Sequence, residues 1–216
     1  MWTLYNDNLF KGSFYDADYY ERGKQSGKGW LENYHWMPRR SFKEALGFID
    51  YFGLDDNSSV LDFGTAKGFI VRALRELEIK AEGCDISTYA LSFAPEGCWN
   101  CNEPESWNSR SYTHVICKDV LEHLSRGQLK EVMDNIALVS NKFMCVIPMG
   151  DCGKYRIPEY HLEVSHLIAE GEEWWMEQFN KMGWYTIKYT NHVPGIKDNW
   201  ISVPNGNCVF VLEKKC

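Results

Sequence analysis

A carboxylate followed by small residues at alternate positions is the densest chemical pattern in this sequence. Asp62 lies in the short apolar run 60–63, and Gly64, Ala66 and Gly68 come directly after it. Glycine at 64 permits a tight turn, a small residue at 66 lets a ligand approach the backbone, and the helix that follows offers free N–H groups at its N-terminus. Because a carboxylate repels a pyrophosphate, Asp62 suits a ligand with a cationic or amino-bearing group. The alternative is an ordinary α/β turn that binds no ligand.

The residues on either side of this turn predict the elements that hold it. The run 60–63 is bounded by polar residues and glycine, which is typical of a short buried strand. In 69–77, apolar residues recur at the i, i+3, i+4, i+7 spacing of one helix face, and they are Ile70, Ala73, Leu74 and Leu77. A strand, a small-residue turn and a helix in this order open a nucleotide-binding α/β unit.

A second carboxylate, Asp85, ends the next predicted strand, in the stretch 80–87. It follows the glycines by about 20 residues, where an acid can accept hydrogen bonds from ribose hydroxyls across neighbouring strand ends. Ile86, beside it, would lie against an adenine ring. Alternatively, Asp85 is a loop aspartate or a helix N-terminal charge beside the cap candidate Ser87.

Together with a third segment, this pattern resembles a known family. The order Val-Leu-Asp-x-Gly-x-Ala-x-Gly at 60–68 resembles motif I of the class I S-adenosylmethionine (SAM) methyltransferases. After a predicted strand at 112–117, the segment 118–124 (Lys-Asp-Val-Leu-Glu-His-Leu) resembles the Asp-Val-Leu/Ile-Glu-His segment of many small-molecule methyltransferases. The resemblance covers about residues 41–213. It implies an α/β, Rossmann-like fold, with a seven-stranded, mostly parallel sheet flanked by helices and a C-terminal antiparallel strand.

The same resemblance implies SAM as cofactor and transfer of its methyl group to an oxygen or nitrogen of a small-molecule or saccharide acceptor. Asp62 would bind the amino group of the methionine part, Asp85 would hold the ribose, and Glu122 and His123 would fix their loop by hydrogen bonds. Between 95 and 110 the adenine contact departs from the family pattern, and Asn102 and Glu103 are the candidates for it. The implied cofactor-binding residues are Asp62, Gly64, Thr65, Ala66, Gly68, Asp85, Ile86, Asn102, Lys118, Asp119, Val120 and His123.

Candidates for a general base lie in the long segment 149–171, which is rich in titratable groups. In an open α/β sheet this segment would leave the carboxyl edge, where ligands bind. His161 and His166 are the predicted catalytic residues, because an imidazole titrates near neutrality. Either one could instead be a structural hydrogen-bonding group.

The chain divides into an aromatic N-terminal segment and a cofactor domain. Residues 1–40 are rich in aromatic and basic side chains and predict a lid or a surface wrap, and residues 41–216 form the predicted SAM-binding domain. The capping-box order Ser-x-x-Glu at 41–44 predicts the start of the domain's first helix. Two alternating segments, 184–193 and 208–212, predict an antiparallel pair that completes the sheet.

Composition narrows the class of protein. The 30 acidic and 23 basic residues of the 216-residue chain give a net charge of -7, which argues against nucleic acid as a partner. No apolar stretch is long enough to span a membrane and the N-terminus does not resemble a signal peptide, so a cytoplasmic protein is predicted. The eight cysteines are expected to be reduced. Cys98 and Cys101 form one CxxC pair with no second pair, so no metal site is predicted, although His161 or His166 could be recruited in space.

Two other functions are compatible with parts of the pattern. An NAD-dependent oxidoreductase is disfavoured by Asp62 and by the terminal antiparallel pair. The second alternative is a protein that binds SAM, has a regulatory or scaffolding role and catalyses no methyl transfer. Neither the acceptor nor the oligomeric state follows from the sequence.

Overall fold

Short apolar runs alternate with amphipathic helices along the chain, and they assemble into one twisted sheet with helices on both faces. The computed structural model describes residues 11–103 and 107–214. The strands of the main sheet are β1 Ser59–Phe63, β2 Lys80–Asp85, β3 Cys98–Asn100, β4 His114–Lys118, β5 Lys142–Pro148, β8 Trp184–Thr190 and β9 Asn207–Lys214, and a two-stranded hairpin is formed by β6 Gly150–Asp151 and β7 Lys154–Tyr155. The helices are α1 Ala17–Ser26, α2 Pro38–Phe52, α3 Phe69–Glu76, α4 Thr88–Leu91, α5 Arg126–Val139 and α6 Glu172–Lys181.

The main sheet has seven strands in the order β3-β2-β1-β4-β5-β9-β8. Strands β1 to β5 run parallel, and β9 is antiparallel to both of its neighbours, β5 and β8. This confirms the predicted Rossmann-like sheet and its C-terminal antiparallel strand. Because the chain order reverses between β1 and β4, a crevice opens at the carboxyl ends of these two strands.

The alternation of side chains along each strand divides the core into two layers. Val60 packs in a cluster with α2 and α3, whereas its neighbour Leu61 packs in a cluster with α5 and α6. Trp175 and Trp184 are fully buried in the second layer. Burial on both faces holds the parallel strands rigidly, so the loops at their carboxyl ends are presented from a fixed frame.

The first helix of the predicted cofactor domain begins earlier than the sequence pattern suggested. The prediction of a capping box at 41–44 is wrong, since α2 starts at Pro38 and Met37 precedes it without a side-chain cap. Proline is favoured in the first helical turn because its N–H would be unpaired there in any case, and this preference overrides the Ser-x-x-Glu order. Ser41 is consequently a buried residue inside the helix.

The segment 149–171 is more ordered than a plain loop. It contains the hairpin β6–β7 and a 3₁₀ turn at Pro158–Leu162. Predictions on residues 1–10, 104–106 and 215–216 lie outside the described residues. Within the described ranges, no helix combines the length and apolar character that a membrane crossing requires.

Candidate active site

A cleft of about 490 Å³ opens at the carboxyl ends of β1, β2 and β4. One wall is the β1–α3 turn, and the opposite wall comes from the N-terminal segment 15–37. The floor carries polar side chains from the segments that follow β4 and β5. The cleft therefore lies at the switch point that the sheet order defines.

Glycine is required at the first turn by backbone conformation and by close packing. Gly64 has φ +82°, and a Cβ placed there would lie 2.1 Å from Cγ2 of Val120. Gly68 has φ +70° and is the N-cap of α3. Ala66 also has positive φ, +50°. The turn thus exposes backbone to the cleft in the manner that the sequence pattern predicts.

Asp85 ties the ends of β1 and β2 together. Its Oδ2 accepts a hydrogen bond from the N–H of Ala66 at 2.8 Å, and its Oδ1 accepts one from the N–H of Ser87 at 2.8 Å. The side chain is buried, and both it and Ile86 border the cleft. Each carboxylate oxygen keeps a second lone pair, so the same group can also accept from hydroxyls of a ligand.

Asp62 is a buried carboxyl group next to this turn, with 4% of the residue exposed. Burial raises its pKa to about 7, and the Lys118 ammonium acts in the opposite direction. A carboxyl group in this environment gains from a cationic ligand, because the cation offsets the cost of burying the ionised form.

Lys118 and Asp119 continue the polar floor at the end of β4. Lys118 Nζ lies 3.0 Å from Oδ2 of Asp119, and Lys197 Nζ lies 2.6 Å from Oδ1. Although burial opposes ionisation of Asp119, Lys118 and then Lys197 hold its pKa below its usual range. Asp119 is therefore an ionised carboxylate held between two cations, and Lys197 also donates to the hydroxyl of Tyr160 at 3.0 Å.

A second group of polar side chains lies beyond Asp119. The 3₁₀ turn Leu121–His123 places the Glu122 side chain in the interior and His123 at the cleft. Oε1 of Glu122 lies 4.0 Å from Nε2 of His123 and 3.8 Å from Nε2 of His166. Burial shifts the pKa values of these groups towards their neutral forms, raising that of Glu122 and lowering that of His123 to about 4.

The N-terminal segment covers the cleft with aromatic side chains. Tyr19 and Tyr20 are buried, and they pack in one cluster with residues of α4. Lys67, from the β1–α3 turn, reaches into this cluster and donates to Oε1 of Glu21 at 2.5 Å and to the carbonyl oxygen of Tyr34 at 2.7 Å. The covering segment is thus fastened directly to the turn.

The structure brings most of the predicted site residues together. Those that border the cleft are Asp62, Gly64, Thr65, Ala66, Asp85, Ile86, Lys118, Asp119, Val120, His123 and His166. Gly68, Asn102 and His161 do not border it. The N–H of Asn102 donates to Asn100, and Nε2 of His161 accepts from the N–H of Tyr155.

Sequence reasoning missed several polar residues of the cleft, among them Tyr160, Glu163 and Lys197. Glu163 is buried and accepts a hydrogen bond from Ser165, while Lys197 comes from the segment between β8 and β9. Each is far in sequence from the motif residues, so no local pattern marks it. The density of titratable groups in 149–171 was the one signal that pointed towards Glu163.

Comparison with known proteins agrees with this geometry. Residues 35–190 match the family model of a methyltransferase domain. No curated protein matches the sequence. Among solved structures, the CcbJ methyltransferase from Streptomyces caelestis has a TM-score of 0.64 at 13% identity, covering 96% of this chain and 100% of that one.

Two further solved structures show the same fold. A SAM-dependent methyltransferase from Archaeoglobus fulgidus has a TM-score of 0.60 at 15% identity, with 80% of this chain and 94% of that chain covered. The glycopeptide N-methyltransferase MtfA in complex with SAM has a TM-score of 0.60 at 12% identity, with 81% and 94% covered.

The cleft fits SAM by its own chemistry. At Gly64 the backbone leaves a space that a Cβ would fill. Beside it lie the buried carboxyl group of Asp62, which suits a cation, and the carboxylate of Asp85, which suits ribose hydroxyls. The family model, which matches most of the chain, and the geometry of the cleft both indicate a SAM-dependent methyltransferase. The chain belongs to the methyltransferase-domain family and is a SAM-dependent methyltransferase.

Proposed function

We propose that this enzyme methylates an oxygen or nitrogen of a small-molecule or saccharide acceptor that binds beside the cofactor in the cleft. The observation that carries the proposal is the division of one cleft into two chemical ends. The glycine turn, Asp62 and Asp85 form a cofactor end, and Glu122, His123 and His166, which lie on other segments, form a second polar group in the same cleft.

The dimensions and walls of the cleft support an acceptor of modest size. Its volume of about 490 Å³ falls within the range of small-molecule sites. Tyrosines of the N-terminal segment supply apolar faces with polar tips, which suit sugars and other polyhydroxylated or aromatic compounds. The likeness to the glycopeptide methyltransferase MtfA is compatible with such an acceptor. The acidic net charge of -7 does not favour nucleic acid, and a cytoplasmic location remains part of the proposal.

The residues have separate tasks in this proposal. Bound SAM supplies a methyl group on a sulfonium, and the neutral thioether S-adenosylhomocysteine is a good leaving group. Asp62 would hold the amino group of the methionine part and Asp85 the ribose, while Asp119 and Val120 would flank the methyl position. The protein would act chiefly by aligning the nucleophile and excluding water.

Of the two histidines predicted as general bases, we propose a role at the acceptor end for His166. Its side chain borders the cleft, whereas Nε2 of His161 already accepts a hydrogen bond from Tyr155. The remaining cofactor-end residues, which are Lys118, Thr65 and the turn glycines, would help to bind SAM through their positions and backbone groups and would not transfer protons.

Calorimetric binding of SAM and S-adenosylhomocysteine is the first test. Wild type is expected to bind both, and Asp85→Ala is expected to weaken binding at least tenfold, because the ribose contact and the backbone clamp are both lost. Asp134→Ala is the matched control, since Asp134 is an exposed aspartate paired with Lys130 away from the cleft. Equal affinity of Asp85→Ala and wild type would contradict the assigned cofactor site.

Turnover is tested separately with a panel of acceptors. Release of S-adenosylhomocysteine should depend on a phenolic, sugar hydroxyl or amine acceptor, and Asp85→Ala should lower it at SAM concentrations that do not saturate the variant. If the protein binds SAM but releases no S-adenosylhomocysteine with any acceptor class in the panel, the proposed acceptor class is wrong.

A further inference from the structure

Three side chains at the acceptor end bring possible metal-ligand atoms close together. They are Glu122, His123 and His166, and their ligand atoms all lie within 4.8 Å of one another. The two imidazole rings are 4.6 Å apart between centroids, in an edge-to-face arrangement. Whether a metal ion can bind between them depends on which ring nitrogens carry a hydrogen and which carry a lone pair.

The tautomer of His166 follows from its partner. Its Nδ1 lies 3.0 Å from the carbonyl oxygen of Tyr160, and a carbonyl oxygen only accepts hydrogen bonds. Nδ1 must therefore carry the hydrogen, which leaves a lone pair on Nε2. That nitrogen is the one that faces Oε1 of Glu122 at 3.8 Å.

The tautomer of His123 follows from a chain of two hydrogen bonds. When the Glu163 carboxyl group is ionised, the hydroxyl of Ser165 donates to its Oε1 at 2.8 Å, and the Ser165 oxygen then accepts from Nδ1 of His123, also at 2.8 Å. Nε2 of His123 then carries a lone pair as well, and it faces Glu122. Histidines that bind a metal ion through one ring nitrogen usually donate the other ring N–H to a carbonyl or carboxylate, which fixes the orientation of the ring.

Glu122 completes the convergence. The residue is fully buried, and neither carboxylate oxygen has a hydrogen-bond partner among the described residues. Its carbonyl oxygen accepts from the N–H groups of Leu167 at 2.7 Å and Ile168 at 3.0 Å, which fixes the segment of His166 against the Leu121–His123 turn. An unpartnered buried carboxyl group between two imidazole lone pairs is costly unless a cation neutralises it.

We propose that Glu122, His123 and His166 bind a divalent transition-metal ion, such as Mn²⁺, Co²⁺ or Zn²⁺, at the acceptor end of the cleft. Two imidazole nitrogens and one carboxylate form a donor set that these ions accept. His123 and His166 border the cleft beside the buried Glu122, so an ion held by the three groups would lie next to the acceptor end.

The distances require a small adjustment. Ligand atoms about 2.1 Å from one ion are about 3.0–3.4 Å apart at octahedral or tetrahedral angles. The Glu122–histidine separations of 3.8 and 4.0 Å would therefore shorten by up to about 1 Å, and the separation between the two histidine nitrogens, which is at most 4.8 Å, by up to about 1.8 Å. Rotation of the side chains covers this range, because the backbone that carries them is already in place.

The inference rests on the proposed function for its consequence. A bound metal ion would take the acceptor hydroxyl or amine as a further ligand and lower its pKa, so the nucleophile would lose its proton more readily near neutral pH. His166 would then act as a ligand that positions the ion.

The test is titration of the metal-stripped, full-length protein with Co²⁺, followed by visible absorption and calorimetry. Wild type is expected to bind one equivalent with visible d–d bands, and Glu122→Gln and His166→Asn are expected to weaken binding at least tenfold. Co²⁺ should raise the Tm of wild type and leave that of the two variants unchanged. His192→Asn is the matched control, because His192 lies on the surface near Asp198 and away from the cleft.

SAM binding by the same proteins separates the possible failures. Variants that bind SAM as wild type does are folded, and if they also bind Co²⁺ as tightly as wild type, the metal site is refuted. A wild type that binds no Co²⁺ but binds SAM refutes this inference and leaves the proposed function in place. If Glu122→Gln does not fold, His166→Asn alone decides the question.

Discussion

The buried carboxyl group of Asp62 makes cofactor binding dependent on pH. Burial raises its pKa to about 7, Lys118 on β4 opposes the rise, and Asp85 on β2 and Glu44 on α2 add to it. Near neutral pH the group is therefore partly protonated, and only its ionised form attracts the amino cation of SAM. We expect the affinity for SAM to fall roughly tenfold between about pH 7.5 and about pH 5.5, as measured by calorimetry.

Asp62→Asn is the control for this dependence. It should bind SAM more weakly than wild type at pH 7.5 and show a flatter pH profile. The folded-state pKa lies above the ordinary value of 3.8, so ionisation of Asp62 lowers the stability of wild type as pH rises from about 4 to about 7, and the variant lacks this contribution. A variant with the pH slope of wild type would show that another group titrates.

Gly64→Ala tests how tightly the cofactor turn is packed. The added Cβ would meet Cγ2 of Val120 at 2.1 Å, and φ is +82°. Gly53 has a similar φ, +77°, and nothing within 4 Å of its added Cβ, so Gly53→Ala measures the conformational cost alone. We expect a loss of about 1–2 kcal/mol for Gly53→Ala and about 1–3 kcal/mol more for Gly64→Ala, from denaturant unfolding.

SAM binding distinguishes the two glycine variants further. Gly64→Ala should weaken it because Val120 is displaced into the cleft, and Gly53→Ala should leave it unchanged. Equal stability losses in both variants would mean that Val120 moves aside without cost.

At the residue scale, the sequence predicted those site residues that lie within a few positions of each other. Asp62 lies near the end of β1, and Gly64 and Asp119 directly follow β1 and β4, so local order alone marks them. The grouping of Glu122 with His166 was not predicted, because the contact joins the turns after two different strands. Glu122 and His123 were expected to fix their own loop by hydrogen bonds; instead His123 bonds to Ser165 in that distant segment, and the Glu122 carboxyl group has no hydrogen-bond partner among the described residues.

Among the elements, the N-terminal segment depends on one buried cation. The Lys67 side chain is 6% exposed and pairs with Glu21, whose side chain is 29% exposed. Glu21→Gln leaves the ammonium without its counter-ion, and we expect a loss of roughly 1–2 kcal/mol, below the cost of a fully buried pair because Glu21 is partly exposed. Hydrogen exchange should accelerate in 16–36, and SAM affinity should fall.

Asp18→Asn provides the comparison for the same helix. Asp18 pairs with Arg22 on the exposed face of α1, and such a surface pair contributes little. Exchange in 16–36 should stay at the wild-type rate. If Glu21→Gln also leaves exchange unchanged, aromatic packing alone holds the segment.

Element boundaries were predictable where one local signal dominates. Ser125 begins α5 with a capping box and Gly53 ends α2 in a left-handed conformation, and both residue types are marked locally because each satisfies free backbone groups within one turn. The start of α2 was not predictable in this way, because Pro38 competes with the Ser41 pattern. No local pattern marks the short strand β3, whose residues carry no clear period.

For the whole molecule, the sheet was predictable because helix and strand periods alternate throughout the chain. The parallel order and the reversed terminal strand follow from which consecutive strands lack a helix between them. The cleft was predictable as a location, at the carboxyl ends of β1, β2 and β4, and its polar floor was not, since Lys197 and Glu163 reach it through tertiary packing.

The position of β9 constrains the order in which the sheet can be completed during synthesis. β9 lies between β5 and β8 and is antiparallel to both, although β8 precedes it in the chain. When β8 leaves the ribosome it has no place in the sheet, and β5 presents an open edge until 207–214 emerge. β8 can therefore join the sheet only after β9 has emerged, and a chain arrested before Asn207 would expose two unpaired strands to other nascent chains.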